Sequence, residues 1–219
     1  MKGEIKIKEQ LLNLIYPPTC GICGKGKKTY LCKKCENKLN QIAIFGKDEY
    51  SDKYFEKHYY LFKYDDIIRT MLIDYKFNEK PYLYRSFMEF FNKYKKRYHE
   101  FEIYDIIVPV PISKKRMRDR GYNQSLLIAS DIAKNSKIKL EKNVIKKEQN
   151  NTPQSLLDKS GREKNVVNVY KIVNKQKILN KKILLIDDIF TTGATVNECS
   201  KMLKISGAEK VDVLTIAKD

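Results

Sequence analysis

The sequence predicts an α/β protein: a parallel-rich sheet flanked by helices and preceded by a small N-terminal module built on four cysteines. Three observations carry this. From residue 105 onward, apolar strand-like runs alternate with helical patterns, which is how a parallel sheet covered on its faces reads. One run, Ile183 to Ile186, ends in two adjacent acids and a turn rich in threonine and glycine, the layout of a ligand site at the carboxyl edge of such a sheet. Near the start, Cys20, Cys23, Cys32 and Cys35 fall in a C-x2-C-x8-C-x2-C pattern. A chain of 219 residues suits one ordinary domain with a small appendage. The expected division is 1–57 for an N-terminal helix, cysteine module and linker, and 58–219 for the larger domain.

In chain order, Gln10 to Ile15 reads as a short helix stopped by Pro17 and Pro18. The cysteines follow at once. Two tight C-x-x-C knuckles facing each other supply four thiolates at the roughly 2.3 Å that tetrahedral zinc requires. Gly21, Gly24 and Gly26 suit the knuckle turns. Two disulfides would also use four cysteines, and a redox C-x-x-C pair would use two; a reducing compartment argues against the first and the duplicated pair against the second. A structural zinc is therefore expected, and in so small a module metal ligation itself supplies folding free energy. Residues 36–57 are polar and mixed, a linker by composition.

Asp65 or Asp66 is placed to cap a helix carrying Ile67, Ile68, Met71, Leu72 and Tyr75. A second helix, about 81–98, lines up Leu83, Phe87, Phe90, Phe91 and Tyr94 on one face. Residues 105–111 form an apolar run closed by two prolines, a buried strand. A helix from about Asn123 to Lys134, a short strand at Val144-Ile145, and strands near Tyr170 and at Lys182 to Ile189 come next. The polar stretch 147–165 is too long for a plain connection and is expected to be functional or mobile. A helix over about 194–206 ends at Gly207, suited to a left-handed cap, before a last strand from Val211 to Ala217. Val196, Cys199, Ser200 and Leu203 share one stripe of that helix, so Cys199 is expected in the core as a small apolar residue.

Composition limits the function. No apolar run approaches the roughly 20 residues that span a bilayer. The first ten residues mix both charges without a signal-peptide core, so a cytoplasmic place is expected. The net charge of +17 invites a nucleic-acid partner. Most of it is lysine scattered along the chain, in company with abundant Ile, Asn, Tyr and Phe, which an AT-rich coding sequence would also produce.

The chemistry concentrates at Asp187-Asp188-Ile-Phe-Thr191-Thr192-Gly193-Ala194-Thr195. Two adjacent acids at the end of a buried strand cannot both be core, since an unpaired buried carboxylate is very costly. They suit a polyhydroxylated or metal-bound substrate. The turn after them brings hydroxyls and unhindered amides to a helix N-terminus, which favours phosphate. Together they describe a ribose 5-phosphate pocket. Upstream, Arg116, Arg118 and Arg120 cluster in a chain that otherwise prefers lysine, and arginine binds phosphate oxygens in pairs.

The string from Ile183 to Thr195 resembles the phosphoribosyl-pyrophosphate loop of the type I phosphoribosyltransferases. The resemblance implies that Asp187 and Asp188 hold the ribose hydroxyls and steady the charge developing at the anomeric carbon. It also implies that Thr191, Thr192, Gly193, Ala194 and Thr195 hold the 5-phosphate. Val108-Pro-Val-Pro111, Arg116, Arg120-Gly-Tyr-Asn-Gln124, then Gln154, Ser155, Leu156, Arg162, Asn165 and Tyr170, with the cysteines in front, are similar to the ComF family of competence-associated proteins. That likeness runs from about residue 10 to the C-terminus. It implies a role in DNA uptake during natural transformation, with single-stranded DNA and the uptake machinery as partners. Arg116 and Arg120 become candidates for the pyrophosphate, magnesium accompanies phosphoribosyl pyrophosphate, and 147–165 corresponds to a mobile catalytic loop. A catalytically active phosphoribosyltransferase acting on a nucleobase or amine is the other reading; it requires a recognition hood, for which the helices at 65–98 are the only candidates.

Overall fold

The computed structural model describes residues 18–25, 29–95, 99–148 and 169–219. The expected helix at Gln10 to Ile15, Gly26, and the loop residues Gln154, Ser155, Leu156, Arg162 and Asn165 lie outside these ranges.

The stretch expected as a linker is structured, which corrects that reading. Lys33–Ile42 forms α1 and Ala43–Glu49 forms β1. β1 pairs antiparallel with Lys57–Lys63 (β2), with a bulge near Phe45. The hairpin crosses the 57/58 division, so that division separates sequence signatures and not packing units. Its polarity misled the reading: β1 is half-exposed along its length, so little of it needs to be apolar.

Asp66–Phe77 forms α2, with Asp65 at the N-cap position. Leu83–Tyr94 forms α3, which buries Leu83, Phe87, Phe90 and Phe91 as the spacing predicts. A 3-10 turn at His99–Ile103 leads into the wholly buried Ile106–Pro109 (β3). Lys114–Arg120 (α4), not foreseen from the sequence, is capped by Ser113 Oγ accepting from the Arg116 amide at 3.3 Å. Gln124–Lys134 (α5) starts on Asn123, whose side chain accepts from the Leu126 amide. Short strands at Lys139–Leu140 (β4), Ile145–Lys147 (β5) and Tyr170–Ile172 (β6) precede Lys182–Ile186 (β7) and Ile189–Phe190 (β8). Ala194–Ile205 (α6) and Lys210–Lys218 (β9) complete the chain.

The main sheet runs β1-β2-β9-β7-β3-β4, with β8 against the end of β9. Every pairing in it except β1–β2 is parallel. β7 and β9 are central and almost entirely buried, as a sheet covered on both faces requires. β5 and β6 form a separate antiparallel ribbon. Cys199 is fully buried among Val196, Leu203, Val211 and Val213.

The cysteine module and the larger domain share one apolar cluster across the expected 57/58 division. Cys20, Leu31, Cys35 and Leu39 belong to the same apolar cluster as Phe62, Leu72, Phe87 and Phe90. One face of α3, at i, i+3 and i+7, makes the polar half of this joint. Ser86 Oγ accepts from the Gly21 amide and donates to the Tyr30 carbonyl; Glu89 accepts from the Tyr30 amide and Thr29 Oγ1; Lys93 reaches the buried Glu36 at 2.6 Å. Lys93 beside it holds the Glu36 carboxyl below its ordinary value despite burial.

Candidate functional site

The four thiols of Cys20, Cys23, Cys32 and Cys35 converge, with all sulfurs within 4.8 Å of one another. Tetrahedral zinc with sulfurs at about 2.3 Å sets its ligands about 3.8 Å apart, and Cys23 Sγ lies 3.8 Å from Cys32 Sγ. No disulfide joins the pairs. Gly24 turns the first knuckle at a φ of +68°, where a side chain would be strained. Burial opposes ionisation of Cys20, but the backbone amides of Cys32, Cys23 and Ile22 outweigh it and bring the thiol down to about 7. The donor set and spacing fit structural zinc.

The second feature is a cavity of about 720 Å³ at the carboxyl edge of the sheet. Its floor is the end of β7. The Asp187 amide donates to Leu214 of β9, and its carboxylate Oδ1 accepts from Ser125 Oγ and the Asp188 amide, both at 2.9 Å. Asp188 is almost buried and accepts an ion pair from Lys76 Nζ at 2.7 Å. Desolvation and then the neighbouring Asp188 push the Asp187 carboxyl up to about 7. Two adjacent acids thus carry less than two charges near neutral pH, a state that an incoming hydroxyl or cation would change.

Thr191, Thr192, Gly193 and Thr195 line the same cavity, and Ala194 begins α6 behind them. Gly193 is the N-cap of α6 at φ +75°. A Cβ there would meet the Phe190 ring at 2.5 Å. Its need for glycine is therefore conformational and set by the Phe190 ring. Phe190 is itself fixed by stacking on the buried His58 ring at 4.1 Å. Behind the turn, the first amides of α6 carry the positive end of the helix dipole.

Arg116 and Arg120, four apart on α4, both line the cavity; Arg118 is exposed and is not part of the lining. Burial, despite Asp188 nearby, lowers Arg120 from its ordinary value. Lys147 and Tyr170 of the β5–β6 ribbon close another side, and burial followed by Arg116 lowers the Lys147 amine.

Sequence reasoning missed Lys76, Ser125 and Lys147. Lys76 follows Tyr75 on a helix read only for its buried stripe; a lone cation beside that stripe was the available signal. α2 crosses the carboxyl edge as a roof. It starts beside β9, where the Tyr64 amide donates to Lys218, and ends against the α4–α5 turn, where Tyr122 donates to the Tyr75 carbonyl and the Arg120 guanidinium covers the Phe77 ring.

Comparison with known proteins places both features. Residues 11–44 match the double zinc ribbon domain and residues 123–219 the phosphoribosyl transferase domain. Competence protein F of Haemophilus influenzae is 27% identical over 205 residues, 92% of this chain and 85% of the relative. Competence protein ComFC of Streptococcus pneumoniae is 29% identical over 196 residues, covering 90% and 80%. DNA utilization protein YhgH of Escherichia coli is 26% identical over 114 residues, covering 52% and 49%. Among the described residues no helix is long and apolar enough to cross a membrane. The chain thus joins a zinc ribbon match to a phosphoribosyl transferase domain match and is similar to competence proteins F and ComFC over nine-tenths of its length.

Proposed function

We propose that the cavity binds phosphoribosyl pyrophosphate with magnesium, and that the protein acts in DNA uptake by binding single-stranded DNA through its basic surface. The observation that carries the first half is the placement of two strand-end acids and a threonine-glycine turn in one cavity at the N-terminus of α6. In this reading the hydroxyls of Thr191, Thr192 and Thr195 and the amides of Gly193 and Ala194 enclose the 5-phosphate. Asp187 and Asp188 accept from the ribose hydroxyls, displacing the Lys76 ion pair. Arg116 and Arg120 face the pyrophosphate with paired donors. Magnesium, when bound with the ligand, neutralises pyrophosphate charge.

The printed names of the relatives, competence and DNA utilization, support the second half. A charge of +17 with exposed Tyr54, Phe77 and Tyr82 suits backbone contacts interleaved with base stacking. The roof formed by α2 favours a second reading, in which the same pocket transfers phosphoribosyl to an acceptor bound beneath it. Calorimetry with phosphoribosyl pyrophosphate and magnesium, with ribose 5-phosphate as control, tests the pocket: saturable binding of both is expected, tighter for the pyrophosphate. No binding of either at millimolar concentration defeats the proposal.

A further inference from the structure

The cavity is larger than the acids and the phosphate turn need, and its remaining wall is the underside of α2. Arg69, Leu72, Ile73, Lys76 and Phe77 all line it, at i, i+3, i+4, i+7 and i+8, so one continuous stripe of the helix faces inward. This stripe lies between the two segments matched by family models, at residues 11–44 and 123–219. The stripe itself offers two cations and three apolar side chains, whereas the amide and hydroxyl groups of the cavity, Tyr64, Gln124 and Ser125 among them, come from other elements. Phe77 is 60% exposed, an unusual state for a phenylalanine at a cavity, and Arg120 already covers its ring at 5.4 Å. Lys76 Nζ sits 2.7 Å from Asp188, at the boundary between the acids and the roof. Pro111 and Ile112 add apolar surface to the lining.

We propose that the compartment beneath α2 binds a planar aromatic ring carrying an anionic substituent of the carboxylate class, with the ring against Phe77 and Ile73 and the anion at Lys76. This rests on the phosphoribosyl reading of the neighbouring turn. The ring covers apolar surface that is otherwise wet, and the stripe supplies cations where a carboxylate needs a partner. A ring without charge gains only the first of these.

The test uses full-length zinc-loaded protein and three probes of increasing reach: ribose 5-phosphate, uridine 5′-monophosphate, and orotidine 5′-monophosphate, which adds a ring carboxylate. Calorimetry is expected to rank orotidine 5′-monophosphate at least ten-fold tighter than uridine 5′-monophosphate. In Lys76→Met most of that preference should disappear, since a charge-assisted contact is worth about ten-fold or more in affinity, and Lys76→Arg should restore it. Phe77→Ala should lower the affinity of both nucleotides relative to ribose 5-phosphate measured in the same variant. If ribose 5-phosphate binds but the two nucleotides bind equally, the anionic-ring proposal is wrong and the phosphoribosyl pocket stands. If an oligothymidylate displaces ribose 5-phosphate while neither nucleotide out-binds it, the roof belongs to a DNA strand. If none of the three probes binds, both readings fall together.

Discussion

Asp187→Asn should stabilise the ligand-free protein and weaken its ligand, with the stability gain confined to a defined pH range. The substitution is nearly isosteric, and an amide oxygen at Oδ1 keeps the hydrogen bonds from Ser125 and the Asp188 amide. What it removes is a charge that burial and Asp188 disfavour. The Asp187 carboxyl titrates at about 7 in the fold against an ordinary 3.8. Between those values the native state holds a proton that the unfolded chain has lost, so stability falls as pH rises, and the penalty is constant above about pH 7. About three pH units at 1.36 kcal/mol each set its size at about 4 kcal/mol. Sharing of charge with Asp188 and Lys76 lowers the expected gain for the variant to about 2–4 kcal/mol at pH 8, against about 1–2 kcal/mol at pH 5. The wild-type curve alone is not diagnostic, because His58 acts in the opposite sense. Burial and then Lys218 pull it down to about 3, so its contribution is lost as pH falls below 6.5. Subtracting the two proteins at each pH isolates Asp187. Urea denaturation from pH 5 to 8.5, beside calorimetry with phosphoribosyl pyrophosphate, measures both effects. The lost carboxylate–hydroxyl bond should weaken binding by roughly 1.5–3 kcal/mol. A variant no more stable than wild type at pH 8 would refute the electrostatic reasoning.

Elemental analysis should find one zinc per chain, and Cys20→Ser should lose it. Because Cys20 and Cys35 share a core with Phe87 and Phe90, removal of zinc should also lower the unfolding temperature of the larger domain; an unchanged melt would show that the two are uncoupled. Gly193→Val must enter a φ of +75° and displace the Phe190 ring, so it should cost about 1–3 kcal/mol of stability along with ligand affinity, whereas a stable variant that merely fails to bind would return the clash to the ligand. Affinity for single-stranded DNA should fall with salt by about 0.7 log unit per log unit for each phosphate contact. Filter binding that is indifferent between about 50 and 200 mM salt would remove the +17 charge from the functional account.

Much of the architecture was legible because long apolar runs and cysteine spacing have few solutions. Ile183 to Ile186 could only be a central strand, and two acids after it had to face a cavity. The C-x-x-C pairs fixed a metal geometry before any fold was known. What escaped were elements whose stability comes from neighbours. β1 is half-exposed and depends on β2; α4 is a seven-residue helix held by its Ser113 cap and the left-handed Gly121. The joint between the cysteine module and α3 was hidden for the same reason, since Glu36, Glu89 and Lys93 read as surface charges until packing buries one of them. Lys76 and Lys147 were lost among the many lysines of the chain, and only position separates them from solvated ones.

Phosphorus NMR tests the central claim most directly, since it observes the 5-phosphate and the pyrophosphate of phosphoribosyl pyrophosphate as separate signals. With magnesium present and zinc-loaded protein added, the 5-phosphate resonance should shift and broaden. In Gly193→Val and in the Asp187→Asn, Asp188→Asn double variant the change should shrink at the same concentration. If the 5-phosphate signal is unmoved by wild-type protein at millimolar ligand, the turn at 191–195 does not hold a phosphate and the cavity is not a phosphoribosyl site.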